Sequence, residues 1–325
     1  MKKLLLVCTR PLITMIFCFT LFYLNPVVAQ IQNDNIKGVL PNQIYDTRSL
    51  SMANTTIADV YSTPTIGINT ALFGLFIDPS FIQFNTNHNW DNNLMQQDLT
   101  LPSLSHGLHH VTGRFVYLHK GFDNLPFTSS PSLSHPDILM YRGEIAYAIA
   151  FNNNLSLGAL QSLSYTTTNE NEEAKYWNYF ADIGLVYAPD GPVSYGLVFR
   201  GLGNETTYEI IETNQTTLGS RLATQVLELG ATLRYPIEER MYLSISFANE
   251  KRFGQEGLWY KGGIEIAPFS FIAIRSGAMV NFEQSLFIPR VGLGINAGIL
   301  QIDYGIAPKN LTGEQFHQVG ITLQF

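Results

Sequence analysis

The chain has 325 residues, a formal net charge of −7 and only 14% charged residues, against 46% hydrophobic. The acidic balance and the lack of any basic cluster speak against a nucleic-acid partner. Both cysteines, Cys8 and Cys18, stand near the amino-terminus, so no thiolate nucleophile, disulfide or Cys-based metal site is expected in the remainder.

From the amino-terminus, Lys2, Lys3 and Arg10 form a positive region, Leu12 to Leu24 an apolar one, and Val27-Val28-Ala29 a small-residue cleavage site. This is the pattern of a secretory signal over residues 1–29. Arg10 and Pro11 interrupt the apolar run, which argues against a retained membrane helix, and no later segment is long and apolar enough to be one. A bilayer otherwise admits only closed barrels, because every backbone donor and acceptor must pair without water. The expected class is therefore all-β, a transmembrane antiparallel β-barrel of about fourteen strands over residues 71–325, with residues 30–70 as a periplasmic or plug segment.

Alternating segments of roughly ten residues, close to the ~9–11 that a tilted strand needs to cross, are read in chain order. They are 72–77, 81–87, 109–119, 141–151, 155–166, 178–188, 193–201, 225–235, 241–249, 259–267, 271–279, 287–296, 299–307 and the last strand, ending at Phe325. The alternative count is twelve, if the first two belong to the plug. Residues 86–108 break the pattern, being long where a short turn is due. Elsewhere tight turns, such as Asn152-Asn153-Asn154, Asp190-Gly191-Pro192 and Ala297-Gly298, alternate with longer polar stretches, among them 120–140, 167–177 and 202–224. That is the pattern of periplasmic turns and external loops.

Side chains at alternate strand positions share a face. Met241, Leu243, Ile245 and Phe247 belong to lipid, and the same parity places Arg114, Arg142, Glu144, Asp182, Glu228, Arg234, Lys261, Glu265, Arg275, Arg290 and Asp303 in the lumen. Six are basic and five acidic. Such near-balance points to a lumen filled by paired charges more than to an open ion-selective pore. Tyrosines near strand ends, together with Trp259, are expected to anchor the barrel at the interfaces.

In the last strand Val319, Ile321, Leu323 and Phe325 would meet lipid while Gln318, Gly320, Thr322 and Gln324 face inward. This aromatic-ended strand has the form of an assembly signal for the barrel-assembly machinery. Catalysis is not expected. His106, His109 and His110 lie near Ser103, Ser105 and Asp98, but no nucleophile elbow or metal-binding helix motif accompanies them, and no cofactor or metal is implied.

Residues 45–67 contain Arg48-Ser49-Leu50, Met52, Ala58-Asp59 and Pro64 in the order of the amino-terminal signature of the PorV/PorQ-type outer-membrane proteins. That group is similar to the FadL-like transporters of hydrophobic compounds. Ala53-Asn54 stands where two glycines are usual, and Thr63-Pro64-Thr65 replaces Asn-Pro-Ala. Ser194 to Gly203, Leu229 to Tyr235 and Leu300 to Gly305 resemble the family's Gly-rich strands.

The resemblance implies a FadL-like barrel of about fourteen strands with an amino-terminal segment inside or beneath it, in the outer membrane and in contact with its lipid. It carries Arg48, Met52, Asp59 and Pro64 as motif residues. The main reading is an accessory of type IX secretion or surface display, recognising secreted cargo or secretion-system subunits through loops and rim; the alternative is a transporter of a hydrophobic ligand. In the second, residues 31–70 act as a hatch and a weakened wall, with Pro289 as the candidate point, releases ligand sideways.

Overall fold

The computed structural model describes residues 46–76, 80–89, 94–120, 137–170, 172–202, 205–212, 215–222, 225–238, 241–253, 256–307 and 316–325. The expected signal at 1–29 lies outside them, as do the first part of the expected plug segment and most of the 120–140 loop.

Among the described residues helices are few and short: α1 (Thr47–Ser51), a 3-10 turn (Thr56–Ala58) and α2 (Leu72–Leu75). The strands are β1 (Phe81–Asn89), β2 (Leu94–Thr100), β3 (Leu104–His106), β4 (His109–Lys120), β5 (Asp137–Asn152), β6 (Leu155–Glu170), β7 (Glu172–Tyr187), β8 (Val193–Leu202) and β9 (Glu205–Glu212). Then come β10 (Gln215–Leu222), β11 (Val226–Glu238), β12 (Met241–Arg252), β13 (Trp259–Phe269), β14 (Ile272–Asn281), β15 (Leu286–Ala297), β16 (Leu300–Ala307) and β17 (Phe316–Gln324). Each pairs antiparallel with its neighbours, and β17 returns to β1 from Phe81↔Gln324 to His88↔His317. Closure removes the free edges that an open sheet would present.

The ring has fourteen strand positions, because three of the seventeen strands continue others. β2 and β3 pair in turn with one partner, β4, across a break at Leu101–Ser103 where the register slips by one residue. β9 pairs with β10 in the hairpin that prolongs β8 and β11, and also with β7.

The expected count of fourteen therefore stands with a different membership. The expected strand at 72–77 is replaced by helix at Leu72–Leu75, with Leu72 and Phe73 buried. The missing position is taken by β2 and β3, inside the stretch 86–108. Short segments of four to eight apolar residues read alike as strand or buried helix, and Gln96-Gln97-Asp98 gives β2 a polar face that conceals it. Loops 167–177 and 202–224 prove to be largely strand. β5, β6 and β7 each run 16 residues, beyond the ~9–11 that span lipid, so the wall continues past the bilayer at the long-loop end.

The outer face is apolar: Phe115, Ile145, Phe247 and Ile274 are 54–63% exposed, and Val319, Ile321, Leu323 and Phe325 also point outward. So large an apolar belt on a closed barrel is a lipid-facing surface. Tyr141, Tyr179, Tyr187, Tyr235 and Tyr260 are exposed on this side, whereas Trp259 is turned inward and fully buried. It shares the parity of Lys261 and Glu265, and that parity outweighs its place near a strand end.

Candidate functional site: a plugged lumen

Residues 46–76 lie inside the barrel. Asp46 caps α1 by accepting the Ser49 amide at 3.0 Å, one of the orphan donors of a helix start. The segment then touches the wall in every direction, with α1 against β14 to β17, the 3-10 turn against β8, β11 and β12, and α2 against β4 to β6. Met52, Ala53, Ile57, Ala58, Ile66 and Ala71 have no solvent exposure. Ile57, Ile68 and Leu72 pack with Val186, Val198 and Ala248 of the wall, while Ile66 and Phe73 pack with Phe81, Ala146 and Leu160.

Two glycines of the wall explain how the plug backbone comes so close. A Cβ on Gly158 would stand 2.3 Å from the Ala71 amide nitrogen, and one on Gly196 would stand 2.3 Å from the Ile57 carbonyl oxygen. Any larger residue would collide with main chain. Hydrogen bonds complete the seat: Ser194 Oγ donates to the Ala58 carbonyl, and Asn69 Nδ2 donates to Ile57 O at 2.8 Å and to Leu185 O at 3.2 Å.

The interior charges assemble into three groups. In the first, Arg48 of the plug donates to Asp59 at 2.6 Å and holds Glu265 of β13 through two bonds of 2.8 and 2.9 Å. Glu265 also accepts from Arg275 at 2.5 Å, and Arg275 reaches Asp303 at 2.5 Å. Burial alone would weaken the charge on Arg48, but the surrounding carboxylates hold its guanidinium protonated well above the usual range. In the second, Glu228 joins Arg200 at 2.5 Å and Lys261 at 2.8 Å, and Lys261 and Arg252 both pair with Glu250. Arg200 also donates to the Ile68 carbonyl of the plug at 2.5 Å. In the third, Glu144 takes Arg114 at 2.7 Å and Arg142 at 3.5 Å, and Asp182 accepts the Gly201 amide at 2.9 Å.

Arg114, Arg142, Glu144, Asp182, Glu228, Lys261, Glu265, Arg275, Arg290 and Asp303 are thus all buried in the interior. Arg290 sits with its Nη2 3.4 Å from Met279 Sδ. Arg234 is only half-buried, at the short-turn mouth. The motif residues Arg48 and Asp59 meet across eleven positions, with Met52 and Pro64 buried in the same segment. Sequence reasoning did not place Arg200, Glu250 and Arg252 in the lumen. Arg200 has the parity of Ser194 and Gly196, a signal that was present. Glu250 and Arg252 fall just beyond the strand limit expected for 241–249.

On the long-loop side the wall carries apolar groups, Val116, Leu118 and Met140 on β4 and β5 and Trp259, Met279 and Ile288 on β13 to β15. The histidines do not form a catalytic constellation. His106 and His109 are exposed at the short-turn rim, whereas Asp98 is buried in the lumen beside Asn85. Pro289 lies opposite Ala278 of β14, outside the pairing of β15 with β16, which begins at Val291. It interrupts no described ladder.

No protein-family model matches the chain, and no curated protein matches its sequence. Solved structures do. The toluene transporter TbuX of Ralstonia pickettii aligns over 87% of this chain and 99% of its own at 12% identity, with a TM-score of 0.58. The CymD monoaromatic hydrocarbon channel aligns over 86% and 97% at 9% identity, with a TM-score of 0.60. A Pseudomonas aeruginosa FadL homologue aligns over 86% and 98% at 12% identity, with a TM-score of 0.52. The chain has the fold of the FadL-type barrels. At such low identity that likeness concerns architecture, shared over 86–87% of this chain.

Proposed function

We propose that this FadL-type barrel is a non-enzymatic outer-membrane protein that passes hydrophobic small molecules, with residues 46–76 as its hatch. The observation that carries the reading is a closed fourteen-strand wall plugged by its own amino-terminal segment, with apolar wall patches on the long-loop side of that plug. A water-filled pore for ions would need a continuous polar path; here the plug lies across the lumen, touching the wall on β4 to β6, β8, β11, β12 and β14 to β17. The solved structures of the same fold include a toluene transporter and a monoaromatic hydrocarbon channel.

The wall itself supplies a sideways exit. At Leu101-Pro102-Ser103 the strand breaks, Pro102 offers no amide donor, and β3 pairs among the described residues only with β4. The described bonds from the break to β4 are few, the Leu101 amide donating to the Gly113 carbonyl and Thr112 Oγ1 to the Leu101 carbonyl, both at 2.8 Å, so the wall is held least firmly there. An apolar solute released there would enter lipid without crossing the periplasm. Export by the 1–29 signal and insertion through the barrel-assembly machinery, read from Val319, Ile321, Leu323 and Phe325, complete the proposal.

The secretion reading keeps one observation in its favour. The motif positions Arg48 and Asp59 shared with the PorV/PorQ-type signature meet in space. One experiment separates the two. The tagged protein is extracted from its own outer membrane in mild detergent and analysed both for bound proteins and for lipid-like molecules. Recovery alone with apolar compounds supports transport; stoichiometric secreted cargo or secretion-system subunits overturn it.

A further inference from the structure

The barrel closes where its first strand meets its last. β1 and β17 pair from Phe81↔Gln324 to His88↔His317, so the pair that ends the seam on the long-loop side is two histidines. Both continue the outward parity of Thr86 and Val319, and both are half-buried on the outer face.

The row runs on across the neighbouring strands. Met95 of β2 stands opposite His88, and His119 of β4 stands opposite Met95. The strand order β17, β1, β2, β4 therefore lines up two imidazoles, a thioether and a third imidazole on one face. The described neighbours on that face, Ile306, Leu139, Thr86, Gln97, Val319 and Tyr117, carry no charge, so its strong donors are nitrogen and sulfur and not carboxylate oxygen. No group of three or more His, Cys, Asp or Glu gathers among the described residues, and an ion held here has two imidazoles as its anchors.

The geometry suits two anchors. Directly opposed residues of an antiparallel pair hold their Cβ atoms about 4.5–5.5 Å apart, and a ring nitrogen binds zinc at about 2.0–2.1 Å. Imidazoles reaching from two such Cβ atoms converge on one ion between them. One ring is already oriented: His317 Nδ1 lies 2.6 Å from the Tyr304 hydroxyl of β16, with the rings 6.1 Å apart. That bond commits Nδ1, so Nε2 is the nitrogen that ligates, and it supplies the outer-shell support that metal-binding histidines carry.

We infer that His88 and His317 form a two-histidine site for a transition-metal ion, copper or zinc, that clips the first strand to the last. Met95, a polarisable thioether beside His88, favours copper. Water fills the remaining positions. The two ligands come from the first and last strands and meet only in the closed ring, so an ion bound by both stabilises closure itself. The site stands apart from the transport proposal, because its donors lie outside the wall.

The test uses the full-length protein, purified without a histidine tag, in nonionic detergent and chelator-free buffer at neutral pH. A second opposed pair, His106↔His109, stands within one hairpin at the short-turn end, so every protein compared carries His106→Gln. In calorimetric titration Cu²⁺ should saturate below about 100 μM, Zn²⁺ should bind more weakly, and Mg²⁺, which demands oxygen ligands, should not bind. His88→Gln and His317→Gln should each weaken Cu²⁺ at least about tenfold, and Tyr304→Phe by roughly tenfold. Saturating Cu²⁺ should raise the unfolding midpoint by several degrees when both histidines are present, and leave a folded His317→Gln unmoved. Absence of saturation by both Cu²⁺ and Zn²⁺ below about 1 mM, equal binding of Mg²⁺, or undiminished binding by a folded His317→Gln overturns the site. Binding that leaves the midpoint unmoved with both histidines present overturns the clip.

Discussion

Arg48 of the plug and Glu265 of β13 are joined by two parallel hydrogen bonds, Nε to Oε2 at 2.8 Å and Nη2 to Oε1 at 2.9 Å, with both side chains buried. The pair fastens a segment near the amino-terminus to the wall 217 positions later. Glu265 is simultaneously the partner of Arg275, so the latch is wired into the wall's own charges.

Glu265→Gln leaves two buried arginines short of a carboxylate. Breaking one side of a buried pair costs about 3–5 kcal/mol, and the cost should appear as a lower unfolding midpoint in detergent. A double-mutant cycle of Glu265→Gln with Arg48→Met should show strong coupling, because both changes remove the same interaction. Additive effects would mean that the Arg48–Glu265 pair contributes nothing to holding the plug.

Gly196→Val places a side chain where the Ile57 carbonyl lies. The expected result is a barrel that still assembles but whose plug no longer seats, read as higher single-channel conductance in planar bilayers and faster proteolysis within residues 46–76. Gly143→Ala, where a Cβ meets nothing within 4 Å, should leave both readouts unchanged.

Much of this architecture was legible in the sequence, because a barrel wall has a period of two and its lumen must be polar. That is why parity alone put Glu265 and Arg275 on the same face, and why they meet. The identity of the early elements was not legible. Leu72-Phe73-Gly74-Leu75 is apolar throughout and fits a short strand as well as a buried turn of helix, and only the tertiary seat against Ala148 and Leu160 decides. Nor can pattern reveal that Arg48 reaches Glu265, since nothing local encodes a contact across 217 positions.

Phe247 is 63% exposed on the lipid face, so Phe247→Arg should destabilise the folded barrel by about 2–4 kcal/mol if the position lies at mid-bilayer depth. The measurement is reversible unfolding in urea with lipid vesicles. Phe247→Leu, which keeps the apolar surface, should cost less than half as much.

The break at Leu101-Pro102-Ser103 should matter for passage more than for stability. Replacing it with Val-Thr-Val gives β2 and β3 a continuous run of good strand formers. Thermal stability should rise or hold, while uptake of an apolar solute falls several-fold. Unchanged uptake would place the exit elsewhere.

The most direct test of the central claim is uptake of a radiolabelled apolar aromatic by outer-membrane-intact cells that contain the protein, lack it, or carry a variant with the plug covalently fixed. Fixing would use a disulfide engineered between cysteines at Ala58 and Ser194, whose side chain already donates to the Ala58 carbonyl. Uptake should stand well above that of the deficient cells and return to their level when the disulfide is formed, with recovery on reduction. Equal uptake in all three would contradict it.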